Sequence, residues 1–363
     1  MNLSVGIVGL PNVGKSTLFN ALTNSTVEAA NYPFATIDPN VGIVKINDPH
    51  LLKLAEVVKS TSIVHAIIEF VDIAGLVKGA SEGAGLGNQF LANIREVGCV
   101  AHVVRLFSNL DIIHVANRID PCDDIDIINT ELCLKDMDTL QKIKGNTEKQ
   151  KKSGLSDEAV SKIELLDKLL KQLDQNKLIN KLDLDDEEKK LMREWSLLTS
   201  KPMLYVANVD ESDIKLTEDE LRERLGLTDN DTVIGMNIQI ELEISQLSDE
   251  DRPIFYEELG ITESGIDKLA KAGYSTLNLI DYYTAGEKEV RAWTIRKGTK
   301  APQAAGVIHK DFENKFICLE CVDYEKFVEA GGWSASKEKG YLRTEGKEYI
   351  VKDSDVIIVK HGS

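Results

Sequence analysis

The run Gly9-Leu10-Pro11-Asn12-Val13-Gly14-Lys15-Ser16 has the form G-x-x-x-x-G-K-S. Two glycines at that spacing let the backbone turn so that successive N–H groups converge on phosphate oxygens. The Lys15 amine reaches the β- and γ-phosphates, and the Ser16 hydroxyl is placed to ligate Mg²⁺. Asn12, Val13, Gly14, Lys15, Ser16 and Thr17 therefore form the expected phosphate cradle. The implied chemistry is in-line attack on a γ-phosphoryl group. Such chemistry depends on positioning and charge stabilisation rather than on a covalent nucleophile.

The elements that would hold these residues are legible around them. Leu3, Val5, Ile7 and Val8 form a short apolar strand, and Ser16 to Leu22 reads as a helix whose positive end faces the phosphates. Two prolines mark residues 31–39 as a loop, in which Thr36 is the expected switch threonine, a ligand to Mg²⁺. The apolar run 66–71 ends in Asp72-Ile73-Ala74-Gly75, a D-x-x-G pattern. There Asp72 would hold Mg²⁺ through water, and the Gly75 N–H would sense the γ-phosphate. The glycine-rich stretch from Gly75 to Gly87 suits a second switch. Two other patterns inside it lead nowhere. Gly79 to Gly83 matches G-x-S-x-G, but no strand leads into Ser81. Gly83 to Gly87 fails G-x-G-x-x-G because residue 88 is Asn88.

A second apolar strand, Pro202 to Ala207, ends in Asn208-Val209-Asp210-Glu211, where GTP-binding relatives of such loops carry N-K-x-D. The aspartate of that motif accepts two hydrogen bonds from the guanine N1–H and N2–H₂ edge, and adenine offers no such donor pair. Here the acid is Glu211, one methylene longer, and Val209 replaces the lysine that would pack along the base. Asn208 can still meet the purine N7. The reader is altered where guanine selection resides, which favours ATP held between Asn208, Val209 and Glu211. Met236 to Gln239 stands where a guanine-supporting S-A-K loop would lie. Directly after D-x-x-G stands Leu76, whose alkyl side chain cannot orient an attacking water. His114, in a loop beyond the strand Val100 to Phe107, is the candidate replacement; His102, mid-strand, reads as a satisfied core histidine.

The chain has 363 residues and a net charge of −17, which argues against broad non-specific nucleic-acid binding while leaving room for local basic faces. Its five cysteines are odd in number and scattered, as expected of reduced thiols in the cytoplasm. Cys318 and Cys321 form a lone C-x-x-C in an alternating stretch, which would turn the two thiols to opposite faces. No apolar run spans a bilayer, and the N-terminus lacks the pattern of a signal peptide.

Residues from about 126 to 200 are rich in Lys, Glu, Asp and Leu and hold almost no glycine. Ala159, Ile163, Leu166, Leu170 and Leu173 step by four and three, a heptad seam, and Ile128, Leu132 and Leu140 suggest its partner helix. The expectation is an antiparallel helical hairpin turning near 153–156. Its tip carries Lys142, Lys144, Lys149, Lys151 and Lys152, suited to an RNA phosphate or an acidic surface, or simply solvated. From about 277 the composition turns to strands, with Arg291, Arg296, Lys297, Lys300 and Lys310 near Trp293.

Taken together, these motifs resemble the YchF subfamily of Obg-related P-loop NTPases. The resemblance rests on Gly9–Ser16, Tyr32–Ile37, Asp72–Gly79, the altered base loop 208–211 and a C-terminal segment similar to a TGS domain. It implies an α/β fold: a P-loop domain with a mostly parallel sheet and helices on both faces (1–127 and 201–277), an inserted coiled-coil arm (128–200), and an α+β, ubiquitin-like TGS domain (278–363). It further implies a Mg²⁺-dependent ATPase that binds the ribosome or its large subunit, with Ser16 and Thr36 on the metal and His114 as the catalytic histidine. A cytoplasmic monomer with no membrane association is expected. Some relatives carry a cysteine in the first switch where this chain has Ala35, so a redox switch at that position is not available here. A GTPase with an atypical base loop and a non-enzymatic, ATP-bound ribosome adaptor are the alternatives.

Overall fold

The computed structural model describes residues 3–24, 40–73, 85–109, 119–151 and 157–362. Thr36, Gly75 and His114, the first switch loop, the glycine-rich stretch 75–84 and the hairpin turn lie outside the described residues. The chain divides into two compact units, Met1–Ile43 with Glu69–Gly273, and Val44–Ile68 with Tyr274–Ser363. The second unit thus includes residues 44–68, which composition and motifs alone do not separate from the first.

In chain order the elements begin with β1 (Ser4–Val8), α1 (Lys15–Asn24), β2 (Val41–Lys45), α2 (Pro49–Val58), β3 (Ile63–Val64), β4 (Ile67–Asp72), α3 (Gly85–Glu96) and β5 (Cys99–Arg105). The helical insertion follows as α4 (Pro121–Lys151), α5 (Asp157–Asp174) and α6 (Asp186–Met192). Then come β6 (Met203–Asn208), α7 (Glu218–Leu225), β7 (Thr232–Met236), α8 (Ile238–Ser245), α9 (Arg252–Glu258) and α10 (Gly265–Thr276). The C-terminal segment runs β8 (Leu279–Ala285), β9 (Val290–Arg296), α11 (Ala301–Ile308), α12 (Lys310–Asn314), β10 (Phe316–Asp323), α13 (Tyr324–Ala330), α14 (Trp333–Glu338), β11 (Arg343–Glu345) and β12 (Asp355–His361).

The first sheet has the order β2-β4-β1-β5-β6-β7. β1 pairs parallel to β4 on one side and to β5 on the other, and β5, β6 and β7 continue in parallel. β1, β5 and β6 are buried along their whole length, as near-continuous apolar strands covered on both faces must be. The strand order reverses at β1. A crevice opens beyond the carboxyl ends of the strands at such a switch point, and the Gly9–Ser16 loop starts there.

On α4, Ile125, Ile128, Leu132, Asp136 and Leu140 are buried at steps of three and four. On α5 the buried residues are Leu165, Leu166, Leu169 and Leu173, whereas Ala159, Ile163 and Leu170 are only half-buried. The narrow heptad seam is therefore corrected to a broader apolar face. The cause is a second packing partner. Besides α4, helix α5 faces the segment 178–195, through Lys168 to Glu188 (2.7 Å), Gln172 to the Leu178 carbonyl (3.2 Å) and Lys162 over the Trp195 ring.

The second sheet has the order β11-β10-β12-β8-β9-β3. β8 and β9 form an antiparallel pair, β12 runs parallel to β8, and β10 pairs antiparallel to both β12 and β11. Numbered within the C-terminal segment alone, β9-β8-β12-β10-β11 is the 2-1-5-3-4 order of a ubiquitin-like sheet. Its core joins Tyr282, Ile295, Leu319 and Ile357 to Ala301, Ala304 and Ala305 of α11. Cys321 is fully buried and Cys318 only partly, in keeping with opposite faces.

Candidate functional site

The loop after β1 is shaped for close approach. Gly14 has φ +106°, and a Cβ there would lie 2.6 Å from the Asn208 Nδ2, so a side chain has neither the conformation nor the room. At Gly9 a Cβ would come within 2.5 Å of the Val103 carbonyl on β5. Asn12 takes φ 64°, a left-handed position that asparagine tolerates. Helix α1 begins here, with Leu18 N–H donating to the Gly14 carbonyl. The N–H groups of the preceding turn have no partner within the helix, and with the helix dipole they make an anion seat.

Lys15 is 8 % exposed, and its Nζ donates to the Leu10 carbonyl at 2.7 Å, folding the amine into the loop. Burial draws its pKa down while Asp72 draws it back up. Burial raises the pKa of Asp72 and Lys15 lowers it. Asp72 ends β4 beside Ile7, two residues before Gly9. Cation and carboxylate thus feel one another across the loop. The Ser16 side chain is exposed and Thr17 half-exposed. No group of three His, Cys, Asp or Glu that could hold a metal occurs among the described residues. The donors present are one hydroxyl and one carboxylate, which fit a Mg²⁺ that takes its remaining oxygens from phosphates and water.

Beside the loop lies a cleft of about 470 Å³, lined by Asn12, Gly14 and Thr17 from the loop and α1, Phe107 and Asn109 after β5, Asn208, Val209 and Asp210 after β6, and Asn237, Ile238 and Gln239 after β7. The size is that of an ordinary ligand pocket. Asn208 is its hinge pin. Its Nδ2 donates to the Val13 carbonyl (3.0 Å), its Oδ1 accepts from Ile238 N–H (3.2 Å), and it is 7 % exposed. Val209 is fully buried; its N–H donates to the Met236 carbonyl and its own carbonyl accepts from Asn237 Nδ2. Asp210 accepts from both the N–H and the hydroxyl of Ser108, at 3.0 and 2.9 Å. Glu211 stands apart: it opens a short 3₁₀ turn, is exposed, and does not line the cleft.

Lys15, Ser16 and the loop glycines are thus brought together beyond the end of β1, with Asp72 at the end of the adjacent β4 and Asn208 and Val209 at the end of β6, on the far side of β5. Sequence reasoning missed Phe107, the aromatic wall of the cleft. The available signal was an aromatic residue just past a largely apolar strand that neighbours the P-loop strand. His102 does sit mid-strand in the core, facing Val8 and Tyr205. Its Nδ1, however, has no partner among the described residues, so it is not the satisfied histidine expected. Burial, reinforced by Lys15, holds its pKa down to about 3, and it remains neutral beneath the loop.

Residues 4–131 match a family model described as "50S ribosome-binding GTPase", and residues 279–362 match the YchF GTPase C-terminal model. The chain is 51 % identical to the "Ribosome-binding ATPase YchF" of Bacillus subtilis and 50 % identical to that of Escherichia coli O157:H7. Each match covers 98 % of both chains. Among solved structures it matches the Schizosaccharomyces pombe YchF GTPase with a TM-score of 0.88 and 39 % identity, over 99 % of this chain and 98 % of that one. With its loop, its sheet order and half its residues shared along nearly the whole length, the chain belongs to the YchF family of P-loop NTPases.

Proposed function

We propose that this chain is a Mg²⁺-dependent ATPase of the cytoplasm that acts on the ribosome. The observation that carries ATP over GTP is the position of Glu211. The acid that would read guanine is exposed outside the cleft, and Val209, in the place of the lysine, is buried. Guanine held there would not meet Glu211 with its N1–H and N2–H₂ donors, and the Asp210 carboxylate that does line the cleft already accepts twice from Ser108, whereas adenine lacks that donor pair. The purine lies against Phe107, Asn208 and Val209, with Glu211 exposed outside the cleft. The triphosphate lies on the N-terminus of α1, with Lys15 against the β- and γ-phosphates. Bound Mg²⁺, held by Ser16, Thr36 and, through water, Asp72, supplies positive charge to the phosphate oxygens. The Gly75 N–H senses the γ-phosphate, and His114 orients the water in place of the usual glutamine.

Curated relatives carry the printed name of ribosome-binding ATPases, which supports a ribosomal partner. We assign the contact to the tip of the inserted arm, 128–200, and to the TGS-like domain of 278–363. On the arm, Lys144 is already engaged by Asp167 and Glu148, so Lys142 and Lys149, both exposed, carry more of the attraction. On the C-terminal unit, Arg291 lies 4.2 Å over the Trp293 ring, a stacked cation suited to RNA. The protein acts as a monomer.

Titration with labelled ATP and GTP in the presence of Mg²⁺ tests the reading, with hydrolysis by wild type and His114→Ala measured alongside. Tighter ATP binding and a His114→Ala enzyme that binds ATP yet turns over far more slowly are expected. A GTP preference would favour the second reading, a GTPase, which the wording of the N-terminal family model and of the fission-yeast structure supports. Undiminished turnover by His114→Ala would remove that histidine from the chemistry.

A further inference from the structure

Arg105 is the last residue of β5, 2 % exposed, and among the largest fully buried side chains of the described residues. A guanidinium inside an apolar sheet is costly unless its donors are met. Its Nε donates to the Phe107 carbonyl (3.2 Å) and its Nη2 to the Asn109 carbonyl (2.7 Å). The same plane lies 4.3 Å from the centroid of the Phe107 ring. One side chain therefore bonds two carbonyls of a three-residue turn and backs its aromatic ring. The turn is fixed from its other side too. Leu106 and Phe107 N–H donate to the Asn208 carbonyl, and Ser108 donates twice to Asp210. Phe107 and Asn109, which Arg105 grips, both line the cleft.

We propose that Arg105 is a positioning residue for the base end of the cleft: by holding the Phe107–Asn109 wall it sets how tightly the purine, as distinct from the phosphates, is bound. The inference rests on the nucleotide reading above. A purely structural arginine would stabilise the sheet without favouring either end of a ligand. This one places hydrogen bonds on two carbonyls of the wall and its guanidinium face on the wall's aromatic ring. Lysine is a poor replacement, because its ammonium has no flat face to stack on the ring while it holds the carbonyls. Asp124 and Asp210 supply the negative field that keeps the group charged against burial.

The test compares affinities for Mg²⁺–ATP and Mg²⁺–tripolyphosphate, a probe with phosphates and no base, in the full-length protein. Wild type should bind ATP more tightly than tripolyphosphate. Arg105→Lys and Arg105→Ala should lower ATP affinity about tenfold, the scale of a lost base–aromatic contact, and leave tripolyphosphate affinity nearly unchanged. Phe107→Leu should reproduce that loss, and adding Arg105→Ala to it should cost little more, since the arginine acts through the ring. Equal losses on both ligands would overturn the proposal. So would a Phe107→Leu protein with wild-type ATP affinity, an outcome readable even where Arg105→Ala does not fold. A wild-type protein that binds neither ligand would instead overturn the nucleotide reading itself.

Discussion

Asn208 concentrates at one residue what the site needs in order to hold its shape. Its amide joins the Val13 carbonyl of the phosphate loop to the Ile238 N–H at the start of α8, and its carbonyl accepts from the turn after β5. Asn208→Ala leaves a buried carbonyl and a buried N–H without partners, at about 1–3 kcal/mol each. A fall in melting temperature is expected, with nucleotide recovering less of it than in wild type. Asn208→Asp keeps the acceptor for Ile238 and loses the donor to Val13, so it should fold better than the alanine variant yet bind triphosphate worse, through charge repulsion. Thermal melts with and without Mg²⁺–ATP check both, and a wild-type melt for Asn208→Ala would contradict the clamp. The phosphate loop was legible in the sequence because eight consecutive residues carry it. The clamp was not, because Asn208 finds Val13 across 195 positions of chain. Arg105 was invisible for a similar reason. Within an apolar run it reads as one strand residue, and only the fold reveals which carbonyls it holds.

At the scale of elements, the arm is held to the sheet by a charge in an apolar stripe. Asp136 of α4 is fully buried and accepts from Leu198 N–H (3.0 Å), Thr199 N–H (2.8 Å) and the Thr199 hydroxyl (2.7 Å), in the segment that leads into β6. Asp136→Ala strands three donors and should cost on the order of 3 kcal/mol or more in chemical denaturation. Asp136→Asn, which keeps one acceptor oxygen, should lose less. The stepping of Ile128, Leu132 and Leu140 announced the helix, but a heptad reading assigns apolar residues to its inner face and has no place for Asp136. A second buried carboxylate gives the C-terminal unit a pH dependence. Asp281 of β8 accepts from the Tyr274 hydroxyl (2.7 Å) and Thr294 Oγ1 (2.9 Å), while burial lifts its pKa to about 6. The raised folded-state value means that between about pH 4 and pH 6 the folded form holds a proton that the unfolded form has released. The group's contribution is thus greatest at the acid end and is lost as pH rises through about 6, by at most about 3 kcal/mol. Asp281→Asn should flatten that slope in melting curves taken across the window; an unchanged slope would assign it to other groups.

For the whole molecule, the decisive feature is that residues 44–68 fold with the C-terminal unit. Composition suggested a boundary near 278, and the matched C-terminal model begins at 279. Neither marks the distant segment, since β3 has only two residues and pairs with a strand more than two hundred positions later. Yet the segment is well embedded in that unit. Ile63 and Val64 pair in parallel with Val290 and Arg291 of β9, and Val290 N–H donates to the Ser62 carbonyl. From α2, Leu51 and Leu54 are fully buried, and the Asp48 that caps the helix accepts the Tyr283 hydroxyl at 2.7 Å. The His50 ring stacks on Tyr324 with centroids 4.0 Å apart. A fragment of residues 274–363 therefore lacks part of its own core. The two leucines alone are worth about 1.5–3 kcal/mol each, a large share of the stability of so small a domain. The fragment should show weak near-ultraviolet dichroism and melt broadly and early. Adding a peptide of residues 44–68 should sharpen the transition and raise its midpoint as peptide concentration rises. Leu51→Ala with Leu54→Ala in that peptide should abolish the rescue. A fragment that melts cooperatively without the peptide, as high as the same unit does in the full chain, would show that the C-terminal fold is self-sufficient and that α2 and β3 only rest upon it.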